Sequence, residues 1–131
     1  MKTLNKKATE IMATLTQLCD DGNGYVKIDN AKGAFMSVVV EKIDETDKGP
    51  LYSVAHYYTQ NGDAMRDPEM TFLRMYGQFV PCYYLQDNLG IEQNSVFRNE
   101  DGRWKINKRL QEQHASFANL WMKNIKQQQR L

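Results

Sequence analysis

The sequence has few of the features that mark secreted, membrane-spanning or disulfide-stabilised proteins. It contains only two cysteines, Cys19 and Cys82, among 131 residues. Their wide separation favours buried thiols, with a disulfide as the alternative, and they form no zinc-binding spacing with the two histidines. No apolar run approaches the about 18 residues of a membrane helix, and none follows the charged N-terminus as in a signal peptide. We therefore expect one soluble, cytoplasmic domain spanning residues 1–131, without a membrane partner.

Recognisable catalytic motifs are also missing. The chain contains no Gly-x-Ser-x-Gly elbow, no phosphate-binding Walker loop and no dinucleotide-binding fingerprint. Nothing in the sequence pairs Cys82 with His56 or His114, and His114 falls at the edge of an apolar helical stripe, as a boundary residue would. The sequence implies no cofactor and no catalytic residue.

The chain has almost no net charge, but its basic and acidic residues are unevenly distributed along the sequence. The formal net charge is only +1, so the total favours no class of partner. Residues 105–131, however, carry six basic residues against the single acid Glu112, and residues 1–12 are also basic, whereas the middle of the chain is acidic. We interpret the six as candidate nucleic-acid contacts, although solvated helix faces are often equally basic. They are Lys105, Lys108, Arg109, Lys123, Lys126 and Arg130.

Hydrophobic periodicity predicts a helix at each end of the chain. Apolar residues recur at helical spacing from Leu4 to Cys19, and a cluster rich in Gly and Asn follows, which predicts a helix over about 5–20. A second apolar stripe from Ile106 to Ile125 predicts a helix over about 107–127 that frays in the terminal glutamines. Phe117 and Trp121, four residues apart, are expected to enter the core together.

Short β-branched and aromatic runs separated by turn residues fill the region between the helices. They predict strands over 25–28, 35–43, 51–60, 70–76, 78–85 and 91–98, with a polar loop over 44–50. Asn61-Gly62 predicts a tight hairpin and Asp67-Pro68 a second turn signal, while Pro81 indicates a sheet edge or a bulge. The predicted fold class is α+β: an N-terminal helix, an antiparallel meander of five or six strands, and a C-terminal helix packed on the sheet.

Four segments carry a resemblance to a known family. Residues 56–70 read His-Tyr-Tyr-Thr-Gln-Asn-Gly-Asp-Ala-Met-Arg-Asp-Pro-Glu-Met, and residues 117–125 read Phe-Ala-Asn-Leu-Trp-Met-Lys-Asn-Ile. With segments 27–40 and 86–91, they resemble an uncharacterised domain family of bacterial mobile elements such as phages, plasmids and conjugative elements. The resemblance implies a small intracellular protein encoded on such an element. Because the family has no known function, it implies no site residue.

The hairpin region is the one place where ligating side chains gather along the chain. Histidine nitrogen and carboxylate oxygens there could hold a divalent metal ion and activate water, as a small hydrolase or nuclease requires. The competing interpretation is structural, with the acids shaping turns and Glu69 paired with Arg66. The residues of this candidate ligand or partner surface are His56, Tyr58, Gln60, Asn61, Asp63, Asp67 and Glu69.

The leading hypothesis from the sequence is a non-enzymatic binding or regulatory module with an unknown protein or nucleic-acid partner. Tyrosines on the predicted strands could stack bases, but the strands are acid-rich, so nucleic acid would meet the basic termini. Lys6 and Lys7 would contribute if the two helices lay side by side. A protein partner would instead meet the acidic hairpin. The alternatives are the metal-dependent hydrolase or nuclease and a purely structural oligomeric accessory protein.

Overall fold

The structure, a computed structural model, describes all of residues 1–131. Its two helices are α1 (Lys6–Asp21) and α2 (Lys108–Gln129). Its eight strands are β1 (Tyr25–Ile28), β2 (Val38–Thr46), β3 (Gly49–Gln60), β4 (Asp63–Met75), β5 (Gln78–Gln86), β6 (Ile91–Asn94), β7 (Val96–Arg98) and β8 (Trp104–Ile106). A short 3-10 helix, Asp87–Leu89, joins β5 to β6.

The first six strands form one antiparallel sheet in sequence order, which confirms the predicted meander and the α+β fold. Strands β7 and β8 pair only with each other in a small second sheet. Each strand of a meander pairs with its neighbour in sequence, so short turns can connect the strands, although residues 29–37 form a longer connection between β1 and β2. Neither helix is long and apolar enough to cross a membrane.

Both helices pack on the same face of the large sheet and form the main core with it. This core contains Met12 and Leu15 of α1, Val54 and Phe72 of the sheet, and Met122 of α2, all fully buried. The helices lie side by side and run in roughly the same direction. The Lys2 amide donates to Gln111 and the Asn5 amide to Asn119, while later residues of α1 face the last turn of α2.

The opposite face of the sheet has no helix, and the small sheet covers part of it. A second apolar cluster lies there, made of Leu73, Val80, Cys82 and Val96, with Trp104 packed against it. The two cysteines are free and buried, as the sequence predicted. Cys82 lies in this second cluster and Cys19 in the main core, so no disulfide links the two sides.

Several predicted strand boundaries are wrong. Residues 44–46 continue β2 and residues 49–50 begin β3, where a polar loop over 44–50 was predicted. Asp67-Pro68 lies inside β4 at a bulge, because β4 already begins at Asp63. Residues 91–98 form two strands in different sheets, broken at Ser95, and β8 was not predicted. At 44–50 and at Asp67-Pro68, pairing with neighbouring strands overrides the local turn preferences. At Ser95 the chain instead leaves the large sheet, and β7 pairs with β8.

Two other turn predictions are confirmed. Asn61 and Gly62 both have positive φ, 52° and 84°, and form the two-residue connection between β3 and β4 that an Asn-Gly pair favours. Pro81 lies where the register of β4 and β5 shifts, which is the predicted bulge. On its other side Pro81 has no strand partner, because β6 pairs with β5 only from Tyr83 to Gln86.

The C-terminal helix differs from its prediction in two respects. It extends to Gln129, and this glutamine is fully buried, where a fraying end was predicted. Trp121 is buried as predicted, but Phe117 is 37% exposed and packs edge-on against Tyr84 at the rim. His114 is buried, not a boundary residue.

Candidate functional site

The structure separates the candidate residues of the hairpin region onto different surfaces. His56 is buried on the helix side of the sheet, where its ring meets Trp121 edge-on at a centroid distance of 5.4 Å. Burial lowers the pKa of His56, although the charge of nearby Asp67 opposes this, and its Nε2 atom has no hydrogen-bond partner. A neutral histidine in an apolar contact is a packing residue here.

Glu69 lies on the other face of the sheet and is held by two donors. Ser53 donates its hydroxyl to Glu69 Oε2 at 2.7 Å, and Arg66 donates to Oε1 at 3.0 Å. Arg66 also binds Asp87 through its Nε at 3.0 Å. The hydrogen bonds from Arg66 lower the pKa of the Asp87 carboxyl, and those to Asp87 and Glu69 raise the pKa of Arg66. The predicted pairing of Glu69 with Arg66 is thus observed.

The remaining hairpin residues lie towards the tip of β3 and β4. Tyr58 donates to Gln60 at 3.5 Å, Gln60 pairs opposite Asp63, and Asn61 occupies the exposed turn. Beyond His56, these two strands pair only with each other, so this end projects from the sheet as a two-stranded ribbon. No three His, Cys, Asp or Glu side chains anywhere in the protein lie close enough to hold a metal ion.

A serine–histidine contact exists but lies in the interior. The Ser95 hydroxyl is 2.8 Å from Nδ1 of His114, and Nε2 of His114 is 3.0 Å from Gln93 Oε1. Neutral His114 therefore donates to Gln93 and accepts from Ser95. Burial lowers the pKa of His114, and Ser95 is fully buried, so this hydroxyl cannot meet a substrate. The contact fastens α2 to the end of β6.

Three of the predicted nucleic-acid contacts line a groove between the two helices. The groove, here the helix groove, has a volume of about 830 Å³. Its basic residues are Lys7 of α1 with Lys123, Lys126 and Arg130 of α2 or its cap. Glu10 is the one acid that lines it. The other three predicted contacts, Lys105, Lys108 and Arg109, lie in β8 and at the start of α2.

None of the four cations in the helix groove takes part in an ion pair. The ion pairs of the protein involve Lys42, Arg66, Arg74 and Arg98, all on the sheet or the small hairpin. Lys7, Lys123, Lys126 and Arg130 are exposed. Free cations that converge on one concave surface raise the local positive potential and attract anions.

The periodicity of α2 aligns one more basic residue with the groove. At about 100° per residue, Lys108 projects within roughly 60° of Lys123, Lys126 and Arg130. Eighteen residues separate Lys108 from Lys126, which is about 27 Å along the helix axis. Arg109 points about 100° away from Lys108, and Lys105 precedes the helix. Glu112 also falls on this side and interrupts the stripe.

The start of α1 adds positive potential beside the same groove. Lys6 and Lys7 occupy the first turn, which contains no acidic residue. A helix N-terminus carries a partial positive charge, so lysines there cost the helix about 0.3–1 kcal/mol each at low ionic strength. An external anion offsets this cost. Sequence periodicity identified the basic residues that α2 contributes to the groove. It did not identify the polar lining residues Asn5, Asn119 and Gln127, because they become neighbours only when the two helices pack together.

Comparison with known proteins gives a family and no activity. The sequence model of one family, described as Domain of unknown function (DUF6908), matches residues 1–131, the whole chain. No curated protein and no solved structure matches the chain.

Proposed function

Because the chain belongs to the DUF6908 family of domains of unknown function, we propose from its surface that it is a non-enzymatic module that binds nucleic acid through the helix groove. The observation that carries this proposal is the set of four unpaired cations in one groove, Lys7, Lys123, Lys126 and Arg130. Spaced positive charges along packed helices match the repeated negative charges of a phosphate backbone.

The lining of the groove favours contacts with phosphates over contacts with bases. No aromatic side chain lines it, and its apolar residues are Ala8, Ile11 and Leu131. Recognition of single-stranded bases generally requires aromatic rings on which they stack. We therefore expect binding to duplex DNA with little sequence preference, since phosphate contacts position a protein without reading bases.

The location of the acidic residues supports the same choice of surface. The acidic middle of the chain forms the sheet, whose open face carries Glu69 and Glu92, and Asp87 of the 3-10 helix bonds to Arg66 beside them. Phosphates would be repelled there and attracted to the helices. A nucleic-acid-binding accessory role also agrees with the mobile-element setting that the sequence resemblance implies.

Binding of labelled duplex DNA at about 50 and 200 mM salt, measured by fluorescence anisotropy, tests the proposal. Each phosphate contact contributes about 0.9 to the slope of log K against log salt. Lys123→Gln with Lys126→Gln should therefore lower this slope by about 2 and weaken binding roughly tenfold or more at the lower salt.

The matched control neutralises two basic residues away from the groove, Lys27 of β1 and Lys48 of the β2–β3 turn. Lys27→Gln with Lys48→Gln changes the net charge equally but should leave the slope nearly unchanged. Lack of binding by the wild-type protein at about 50 mM salt would reject the proposal. Equal losses in the two double variants would reject the groove as the contact surface.

A further inference from the structure

The face of the sheet without helices carries a second groove, here the open-face groove. It lies between the large sheet and the β7–β8 hairpin and has a volume of about 490 Å³. Leu51, Cys82 and Val96 contribute its apolar part, and Trp104 flanks them. Burial raises the pKa of Cys82 to about 12, so this thiol stays neutral and serves as an apolar surface.

Two polar contacts hold the hairpin over the sheet and close one end of the groove. Arg98 of β7 donates to Asp44 Oδ2 at 2.7 Å and lies over the Trp104 ring, 5.4 Å from its centroid. Trp104 Nε1 in turn donates to Asp47 Oδ1 at 3.1 Å. The positions of Asp44 and Asp47 beside the groove are therefore set by donors of the protein itself.

At the other end of the groove, hydrogen-bond donors of the protein likewise orient the carboxylates. Tyr83 donates its hydroxyl to Glu92 Oε2 at 3.0 Å, and burial, followed by this bond, raises the pKa of Tyr83 to about 12. The phenol thus stays a donor at neutral pH. Glu69 is held by Ser53 and Arg66, as described above. Carboxylates that are already oriented lose little entropy when a ligand binds.

The charge around the open-face groove is negative. Its two arginines, Arg66 and Arg98, are both engaged in ion pairs. Of the carboxylates, only Glu69 lines the groove, and four others bond to its lining residues: Asp44, Asp47, Asp87 and Glu92. Within this set of lining residues and their bonded partners, acids exceed bases by three. Two large apolar side chains beside them are exposed, Ile43 at 48% and Phe97 at 41%.

From this combination we infer that the open-face groove binds a basic segment of a protein partner. The long side chain of an arginine or lysine has an aliphatic stem that covers apolar surface and a charged head that needs a carboxylate. The groove offers both, with apolar residues between two fixed anionic ends. A phosphate backbone would be repelled by the same surface, which assigns this groove to protein and the helix groove to nucleic acid.

The experiment measures anisotropy of a labelled peptide of alternating arginine and serine, with an alternating glutamate and serine peptide as the negative probe. Asp47→Asn with Glu92→Gln removes two charges but keeps the oxygen acceptors of Trp104 and Tyr83. This pair should weaken binding of the basic peptide about fivefold to tenfold. Phe97→Ala removes exposed apolar surface and should also weaken binding, without unfolding the protein. Asp21→Asn with Glu112→Gln, on the two helices, should change nothing.

Three results would overturn the inference. Wild-type protein could fail to bind the basic peptide at about 50 mM salt, or both double variants could bind it equally weakly. The third is self-association measured by analytical ultracentrifugation that Asp47→Asn with Glu92→Gln abolishes, which would make a second copy of the chain the occupant.

Discussion

Gln111 and Gln129 are fully buried side chains of α2, and both act as clamps on distant backbone. Gln129 Oε1 accepts from the Asn30 amide at 2.8 Å, and its Nε2 donates to the Met36 carbonyl at 3.0 Å. Gln111 accepts from the Lys2 amide and donates to the Lys2 carbonyl. A buried amide is tolerated because its oxygen and nitrogen both find partners. These two residues thus fix the 29–37 connection and the N-terminal segment on the helix side.

Replacing Gln129 tests this role at the scale of one residue. Gln129→Leu keeps a side chain of similar volume but removes the side-chain partners of the Asn30 amide and the Met36 carbonyl. Both contacts are partly buried, so water can replace part of what is lost, and the free energy of unfolding should fall by about 1–3 kcal/mol. Urea denaturation measures this change. Gln127→Leu is the control, because Gln127 lies two residues earlier in the same helix and its side chain is exposed. Equal midpoints for the two variants would show that the clamp contributes nothing.

At the scale of elements, α2 combines a buried face with the basic stripe of the helix groove. Trp121 belongs to the buried face and is 5% exposed, while Phe117 is 37% exposed one turn earlier. The two rings contact each other at a centroid distance of 6.1 Å. Trp121 Nε1 has no hydrogen-bond partner, so packing accounts for the contribution of this residue to stability. The buried face holds the helix in place, and the stripe is exposed as a result.

Truncation of these two neighbours should therefore have unequal effects. Trp121→Ala should lower the free energy of unfolding by about 3–5 kcal/mol, because it removes a large buried side chain. Phe117→Ala should cost roughly 1 kcal/mol, since most surface variants cost less than core ones. Trp121→Phe also removes the unpaired N–H group, and its loss in the free energy of unfolding should lie between those of the two alanine variants. A larger loss from Phe117→Ala, measured by thermal or urea denaturation, would contradict the assignment of Trp121 to the core.

The elements that sequence analysis predicted are those with strong local signals. Periodicity sufficed for α1 and α2, and Asn61-Gly62 for the β3–β4 turn, because those signals lie within a few residues of each other. The three-residue strand β8 has no such signal, and it forms because β7 supplies its partner. Likewise, Asp67-Pro68 resembles a turn but lies within β4, where cross-strand pairing continues on both sides of the bulge.

Which candidate site residues lie together depends even more on tertiary structure than the strand boundaries do. His56 and Glu69 are in the same hairpin, but they lie on opposite faces of the sheet because of the register set by the bulge between Ala55 and Tyr57. No local pattern specifies that register. The basic side of α2, in contrast, follows from helical spacing, and only its partner Lys7 required knowledge of how the helices pack.

At the scale of the whole molecule, the near-zero net charge conceals two surfaces of opposite sign. The unpaired cations line the groove between the helices, and the oriented carboxylates surround the groove on the other face of the sheet. The sheet itself lies between them, so no side chain of one groove lines the other. At about 0.1 M salt the Debye length is about 10 Å, which screens most of the interaction across the sheet.

The two proposed binding activities should therefore respond independently to charge variants. At about 200 mM salt, Asp47→Asn with Glu92→Gln should change DNA affinity by less than about twofold, because screening removes the residual repulsion. At about 50 mM the same variant should bind DNA slightly more tightly, since the Debye length is longer and two negative charges are gone. Lys123→Gln with Lys126→Gln should likewise leave binding of the arginine–serine peptide unchanged or slightly stronger. Anisotropy with both probes on all four proteins, wild type and the two double variants plus their combination, measures this. Loss of both ligands in either double variant would mean that DNA and peptide share one surface, contrary to the separation of the two grooves by the sheet.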